Sequence, residues 1–401
     1  MKYCVLLADG VSDHPCEDLG GKTPLEAADI PLVHSIAKNG ITGALKTIPP
    51  GMYPGSDVGN LSVLGYDPAS CYTGRSPLEA AAMGVALGPK DVAFRCNLVT
   101  LGFEGEALVM EDYSAGHITT AEAEKIIKTL AKELGSKSFQ FYPGVSYRHL
   151  LVWRGGRDEM ALTAPHDISD KAVAGYMPSG GGSGELIELM TNAQMLLKNH
   201  PVNLEREERG EKVANSIWLW GQGRTPKLKP FRDLYGVEGA VISAVDLIKG
   251  IALLAELEFL AVPGATGFLD TNYRGKAEYA LEALKEKDFV YIHVEAFDEA
   301  GHLGDADKKV QALEDFDRQL VAPLLEGLKA MGPFRVLICP DHPTPVPLKT
   351  HVDELVPYAL WDSELPGDDV ELYTEACREK GSRHFMVGHE LMGYLLRRDG
   401  S

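Results

Sequence analysis

Three apolar runs constrain this chain more than anything else in it. Residues 3–8, 289–294 and 335–339 read as strands buried on both faces, and each is followed within a few residues by an aspartate: Asp9, Asp298 and Asp341. Runs without a polar face fit a parallel sheet covered by helices rather than a sheet with one wet side. Strand and helix patterns alternate through the C-terminal half, with strands at 216–224, 239–243 and 258–262 and helices at 244–255, 273–284 and 308–331. That rhythm predicts an α/β fold with a doubly wound, mostly parallel sheet. Such sheets place their chemistry just past the carboxyl ends of the strands, where the three aspartates fall.

Histidines gather at the same strand ends. His302 follows Asp298 by four residues, a spacing that aims both side chains at one point from a helical turn. Asp341 is followed at once by His342, and then by His351. Three Asp and three His placed there, together with Ser56, make a set for two metal ions. Mixed imidazole, carboxylate and hydroxyl ligands suit Mn²⁺ or Zn²⁺ better than the all-oxygen cage of Ca²⁺.

Ser56 lies in Pro54-Gly55-Ser56-Asp57, a turn running into the helix pattern of Asn60-Leu61-Ser62-Val63-Leu64. It can serve as an ordinary N-cap. Alternatively it is a nucleophile whose phosphoester would rest against the amides and dipole of the helix start.

The middle of the chain changes texture. An amphipathic helix over 119–134 and strands at 139–142 and 147–153 form a small α+β insert, expected to span 108–179. The remaining segments, 1–107 and 180–401, form the core. The Ser179–Gly184 run reads as the hinge back into it, with a phosphate cradle as the alternative. An arginine in an apolar strand needs an anionic partner, which singles out Arg95. Arg75, Arg148, Arg224 and Arg274, with Asn97 and His166, complete the candidates for holding substrate anions.

Composition excludes other classes. The net charge of −19 over 401 residues argues against nucleic acid or an anionic membrane as partner. The first residues lack the apolar length of a secretory signal, and no apolar run is long enough to span a membrane. Six scattered cysteines without a CxxC pair fit a reducing cytoplasm.

These motifs, in this order, resemble the alkaline phosphatase superfamily, and within it the cofactor-independent phosphoglycerate mutases of the archaeal type. The likeness covers nearly the whole chain. Its carriers are Ala8-Asp9-Gly10, Gly21–Ala27, Pro54–Asp57, Leu64–Pro68, Thr73–Ala80, Asp91–Asn97, Asp298…His302, Asp341-His342 and His351. The resemblance implies that Ser56 becomes phosphoserine while 2- and 3-phosphoglycerate interconvert without bisphosphoglycerate. It also implies two divalent ions, with Mn²⁺ the first choice and Zn²⁺, Co²⁺ or Mg²⁺ the alternatives. Asp9, Ser56, Asp341 and His342 would hold one ion, and Asp298, His302 and His351 the other. The insert would hold the rest of the substrate.

One stretch departs from that family. Asp112-Tyr113-Ser114-Ala115-Gly116-His117 stands where an arginine-bearing run is expected. The run resembles a bacterial subgroup proposed as homoserine kinases, which implies ATP and homoserine as alternative substrates. A metal-dependent phosphatase is the second alternative.

Overall fold

The computed structural model describes residues 1–396, so the end of the expected core at 401 lies outside the described residues. The chain divides into two compact units, residues 1–72 with 227 onward, and Thr73–Pro226. Strands are numbered along the chain. Unit one opens with β1 (Lys2–Ala8) and β2 (Ile41–Leu45). Unit two carries β3 (Val92–Glu104), β4 (Ala107–Asp112), β5 (Phe139–Tyr142), β6 (Arg148–Trp153), β7 (Met160–Ala161), β8 (Ser179–Gly180) and β9 (Ser216–Gly223). Unit one resumes with β10 (Gly239–Ile242), β11 (Glu258–Leu260), β12 (Phe289–Val294), β13 (Phe334–Cys339) and β14 (Val356–Asp362).

Unit one is the expected doubly wound α/β sheet, in the order β11-β10-β12-β1-β13-β14-β2. The pairs from β11 to β13 are parallel, while β14 and β2 add an antiparallel edge. Strand β1 lies between β12 and β13, with Ala8 opposite Val294 and Leu7 opposite Cys339. That register brings the carboxyl ends of three adjacent strands level, so the residues after them share one rim. The helical run expected at 308–331 is present as Ala306–Phe316, a π turn at Asp317–Val321, and Ala322–Met331. The Asp317 carboxylate accepts the Val33 amide at 2.7 Å, putting a buried anion at the start of helix Pro31–Asn39, where the helix dipole favours it.

Unit two corrects three expectations. The 108–179 insert is too small: β3 is continuous for 13 residues, pairing with β6 and β9 over its first part and β4 over its last. A boundary at 107 would leave β3 in the core and put its partners β4 and β6 in the insert, cutting through one sheet. Strand β9, expected in the alternation of the core, instead pairs antiparallel with β3. The Ser179–Gly184 run is also no return to the core. Ser179 and Gly180 pair with Met160 and Ala161, and helix Ser183–Leu197 buries Leu186, Leu189, Met190 and Leu197 in the core of unit two. The amphipathic helix lies at Thr120–Glu133, opened by a Thr119/Glu122 capping box. Among the described residues no helix is long and apolar enough to cross a membrane.

Candidate active site and metal centre

All seven residues read as metal ligands or nucleophile lie in unit one, and the structure gathers them at the rim shared by β12, β1 and β13. Asp9 leaves β1 directly. Asp298 and His302 ride on helix Ala296–Leu303 after β12, and Asp341 and His342 follow β13. Two glycines allow the crowding. Gly10 has φ 65°, and a Cβ there would lie 2.6 Å from Thr344 Oγ1 and 2.7 Å from Asp298 Oδ1. A Cβ on Gly59 would sit 2.6 Å from the Asp341 carbonyl oxygen.

Ser56 opens helix Ser56–Val63, but Gly55 holds the cap position and no side chain caps it. The capping role is therefore not the one Ser56 plays. Its Oγ lies 3.2 Å from His342 Nε2. Asn60, one turn along, clamps the segment: its Nδ2 donates to the Ser56 carbonyl and to Asp341 Oδ2, each at 2.8 Å. Its Oδ1 accepts the Tyr291 hydroxyl at 2.7 Å.

Counting donors assigns the histidine tautomers. The Thr344 hydroxyl donates to Asp298 Oδ1, so its oxygen accepts from His342 Nδ1–H at 3.3 Å. His342 Nε2 is then a bare lone pair. It faces Asp9 Oδ1 at 3.6 Å, Asp341 Oδ2 at 3.5 Å and Ser56 Oγ. The other two histidines agree. His351 Nδ1–H donates to the Pro54 carbonyl at 3.0 Å, and His302 Nδ1–H to the Lys349 carbonyl at 3.1 Å. Their Nε2 atoms, lone pairs when the rings are neutral, face each other at 2.9 Å, each 3.3 Å from an Asp298 oxygen. Two imidazole nitrogens and a carboxylate meeting at one point call for positive charge between them, supplied by ring protons or by a metal ion.

The electrostatics carry the same demand. Asp9 is fully buried, and its carboxyl is held well above its ordinary range by burial and then by Asp341, Asp298 and Glu295. Its Oδ1 has no hydrogen-bond partner. Burial would raise Asp298 too, but the His302 and His351 rings outweigh it and hold the group well below the usual range. Asp298 in turn lifts His302 to about 9. The residues thus fit two divalent ions, one within Asp9, Asp341 and His342 and one beside Asp298 and His351, with His302 at its edge; His342 lies near both groups but has one free lone pair to give.

Unit two collects part of the predicted anion-binding set. Arg75 Nε and Arg95 Nη1 both reach Glu79 Oε1 at 2.9 Å. Arg95 is buried, which draws it down to about 10, and its guanidinium lies 5.1 Å above the Trp220 ring. Its Nε has no hydrogen-bond partner. Asn97 accepts Trp220 Nε1–H at 3.0 Å and donates to the Tyr113 carbonyl at 3.2 Å. His166 meets the rings of Trp220 and Tyr113 edge-on, and Arg148 covers Tyr147.

Two predicted arginines have other work. Arg224 forms a fork with both Asp158 oxygens and donates to the Lys90 and Gly156 carbonyls, which makes it a structural clamp. Arg274 is exposed on helix Tyr273–Glu286, paired with Glu278 one turn along. Sequence reasoning missed Glu79, Asn60, Thr344 and Trp220. Only Asn60 had a local signal, a polar side chain one helical turn after Ser56.

The comparisons agree with this geometry. A family model described as 2,3-bisphosphoglycerate-independent phosphoglycerate mutase matches residues 37–203. A probable 2,3-bisphosphoglycerate-independent phosphoglycerate mutase from Geobacter sulfurreducens is 54% identical, over 99% of this chain and 100% of that one. A 2,3-bisphosphoglycerate-independent phosphoglycerate mutase from Methanosarcina barkeri is 51% identical, over 99% and 100%. The solved cofactor-independent phosphoglycerate mutase from Thermoplasma acidophilum has a TM-score of 0.67 at 27% identity, covering 99% of each chain. With half its residues identical to such relatives end to end, and the rim clusters in place, the chain belongs to the 2,3-bisphosphoglycerate-independent phosphoglycerate mutase family.

Proposed function

We propose that this isomerase interconverts 2- and 3-phosphoglycerate through phospho-Ser56. The observation that carries the reading is the Ser56 hydroxyl on a helix start, outside any capping role, beside the bare Nε2 of His342. Divalent ions held by Asp9, Asp341, His342, Asp298, His302 and His351 would lower the serine's pKa so that its proton leaves to solvent, and would neutralise phosphoryl oxygens. Mn²⁺ is the first choice on ligand chemistry.

The chain's own groups do the rest. Ser56 Oγ bonds to phosphorus as the bond from phosphorus to the glycerate oxygen breaks, and that oxygen takes up a proton. In the return half the neighbouring glycerate hydroxyl loses its proton and attacks the phosphoserine, freeing Ser56. Asn60 keeps the nucleophile's backbone tied to Asp341 throughout. Arg75, Arg95 and Arg148 are the proposed grips for the substrate's anionic groups, with Asn97 and His166 beside them. The charge balance and the free cysteines suit a cytoplasmic protein.

The test is a paired assay on one Mn²⁺-loaded preparation. One arm converts 3-phosphoglycerate to 2-phosphoglycerate without bisphosphoglycerate; the other offers ATP and homoserine. Turnover in the first arm is expected. Turnover in the second arm alone would replace the isomerase with a kinase.

A further inference from the structure

One buried histidine has no part in the chemistry above. His293 is 1% exposed as the penultimate residue of β12, opposite Leu7 of β1. Its Nε2 lies 2.8 Å from Asp9 Oδ2, and its Nδ1 lies 3.2 Å from Ser243 Oγ. With Asp9 ionised, as a metal ligand has to be, the nitrogen facing it carries the proton, so Nε2–H donates to Asp9. Nδ1 is then the acceptor and takes the Ser243 hydroxyl. That oxygen is itself held by the Val245 amide, which donates to it at 3.0 Å. The backbone of the β10 end thus sets a hydroxyl, the hydroxyl sets a tautomer, and the tautomer occupies one oxygen of Asp9. The other oxygen, Oδ1, is the one without a hydrogen-bond partner, on the side of His342 Nε2.

We propose that His293 is a positioning residue for the ion site built on Asp9: with Ser243 behind it, it binds Asp9 Oδ2 and so presents Oδ1 alone as the ligand atom. The proposal rests on the two-ion reading and goes beyond it, because neither His293 nor Ser243 touches an ion. Lys276 steadies the same point of the strand by donating to the His293 carbonyl at 2.9 Å. Groups that orient a ligating carboxylate typically cost about 10–100-fold in metal affinity when removed.

The test reads Mn²⁺ binding directly, by calorimetry and by loss of the free-ion paramagnetic resonance signal, with turnover as a separate measurement. Wild-type protein is expected to bind two ions per chain. His293→Leu is expected to weaken one of them by about 10–100-fold and leave the other unchanged. His293→Gln is expected to recover most of that loss, because its amide N–H reaches where Nε2–H does. Wild-type affinity at both sites in His293→Leu overturns the proposal, as does a Gln variant as weak as the Leu variant, which would reduce His293 to packing. Should the Leu variant not fold, Ser243→Ala decides: weaker binding of one ion supports the relay, and unchanged binding overturns it. Wild-type protein that binds fewer than two ions fails at an earlier point, removing the two-ion reading and this proposal with it.

Discussion

Lys309→Met is the substitution whose cost the structure specifies best. The Lys309 and Asp13 side chains are both 0% exposed and their charges meet at 2.7 Å. Lys309 also donates to the Thr344 carbonyl at 2.9 Å, and Asp13 accepts the amides of Val346 at 3.0 Å and His14 at 2.8 Å. The pair therefore ties the loop after β1 to the loop after β13, both of which carry candidate metal ligands. Methionine keeps the stem's volume but leaves the Asp13 carboxylate buried with only backbone amides and the Cys16 thiol as donors. Removing one partner of such a pair costs about 3–5 kcal/mol, far above the ~1 kcal/mol of an exposed pair. At ~2–4 °C per kcal/mol for a unit of this size, the thermal midpoint should fall by roughly 6–20 °C. The double variant Asp13→Asn/Lys309→Met removes both charges and should regain most of that loss, giving a coupling energy of at least ~2 kcal/mol in a double-mutant cycle. Calorimetry and circular dichroism on all four proteins measure it. A Lys309→Met midpoint within about 2 °C of wild type, or a double variant as unstable as the sum of the singles, would refute the reasoning.

Ser56→Ala should form no phosphoenzyme when labelled with substrate; label persisting on that variant would remove Ser56 as nucleophile. Asp341→Asn should lose bound metal and turnover together, and full turnover in chelator-treated wild type would sink the metal site. Glu79 is held below its ordinary range by Arg95 and Arg75 against the cost of burial. A carboxyl with a depressed folded pKa adds stability that is present above its unfolded value of about 4.3 and is lost as pH falls through the folded value. Glu79→Gln should therefore flatten the acid limb of the stability–pH curve below about pH 4.3. An unchanged acid limb in urea titrations would show that Glu79 does not carry that term.

Asp9, Asp298 and Asp341 were legible as a site because parallel strands buried on both faces have to be near-continuous apolar runs, and side chains just past them share a rim. His302 was legible from helical spacing, and Ser56 from the turn before its helix. The 108–179 boundary failed for a reason equally physical: nothing local marks that β3 will pair with β4 and β6 across it, or that β9 will join the same strand. Arg75, Arg95, Arg224 and Arg274 are one residue type in sequence. Burial and partners separate them into a pair sharing Glu79, a clamp on Asp158 and a surface ion pair.

What the sequence carried by itself was therefore the layered sheet, from periodicity, and the Asp and His residues gathered past its strands, from short spacing, while the roles proposed for Ser56 and the ligand set came from the family resemblance. Only the tertiary structure decided the tautomers of His302, His342 and His351, the clamp by Asn60, and the contact of His293 with Asp9. Each of these depends on which donor meets which acceptor across strands and loops distant in the chain, and hydrogen-bond accounting of that kind closes only when the chain has folded.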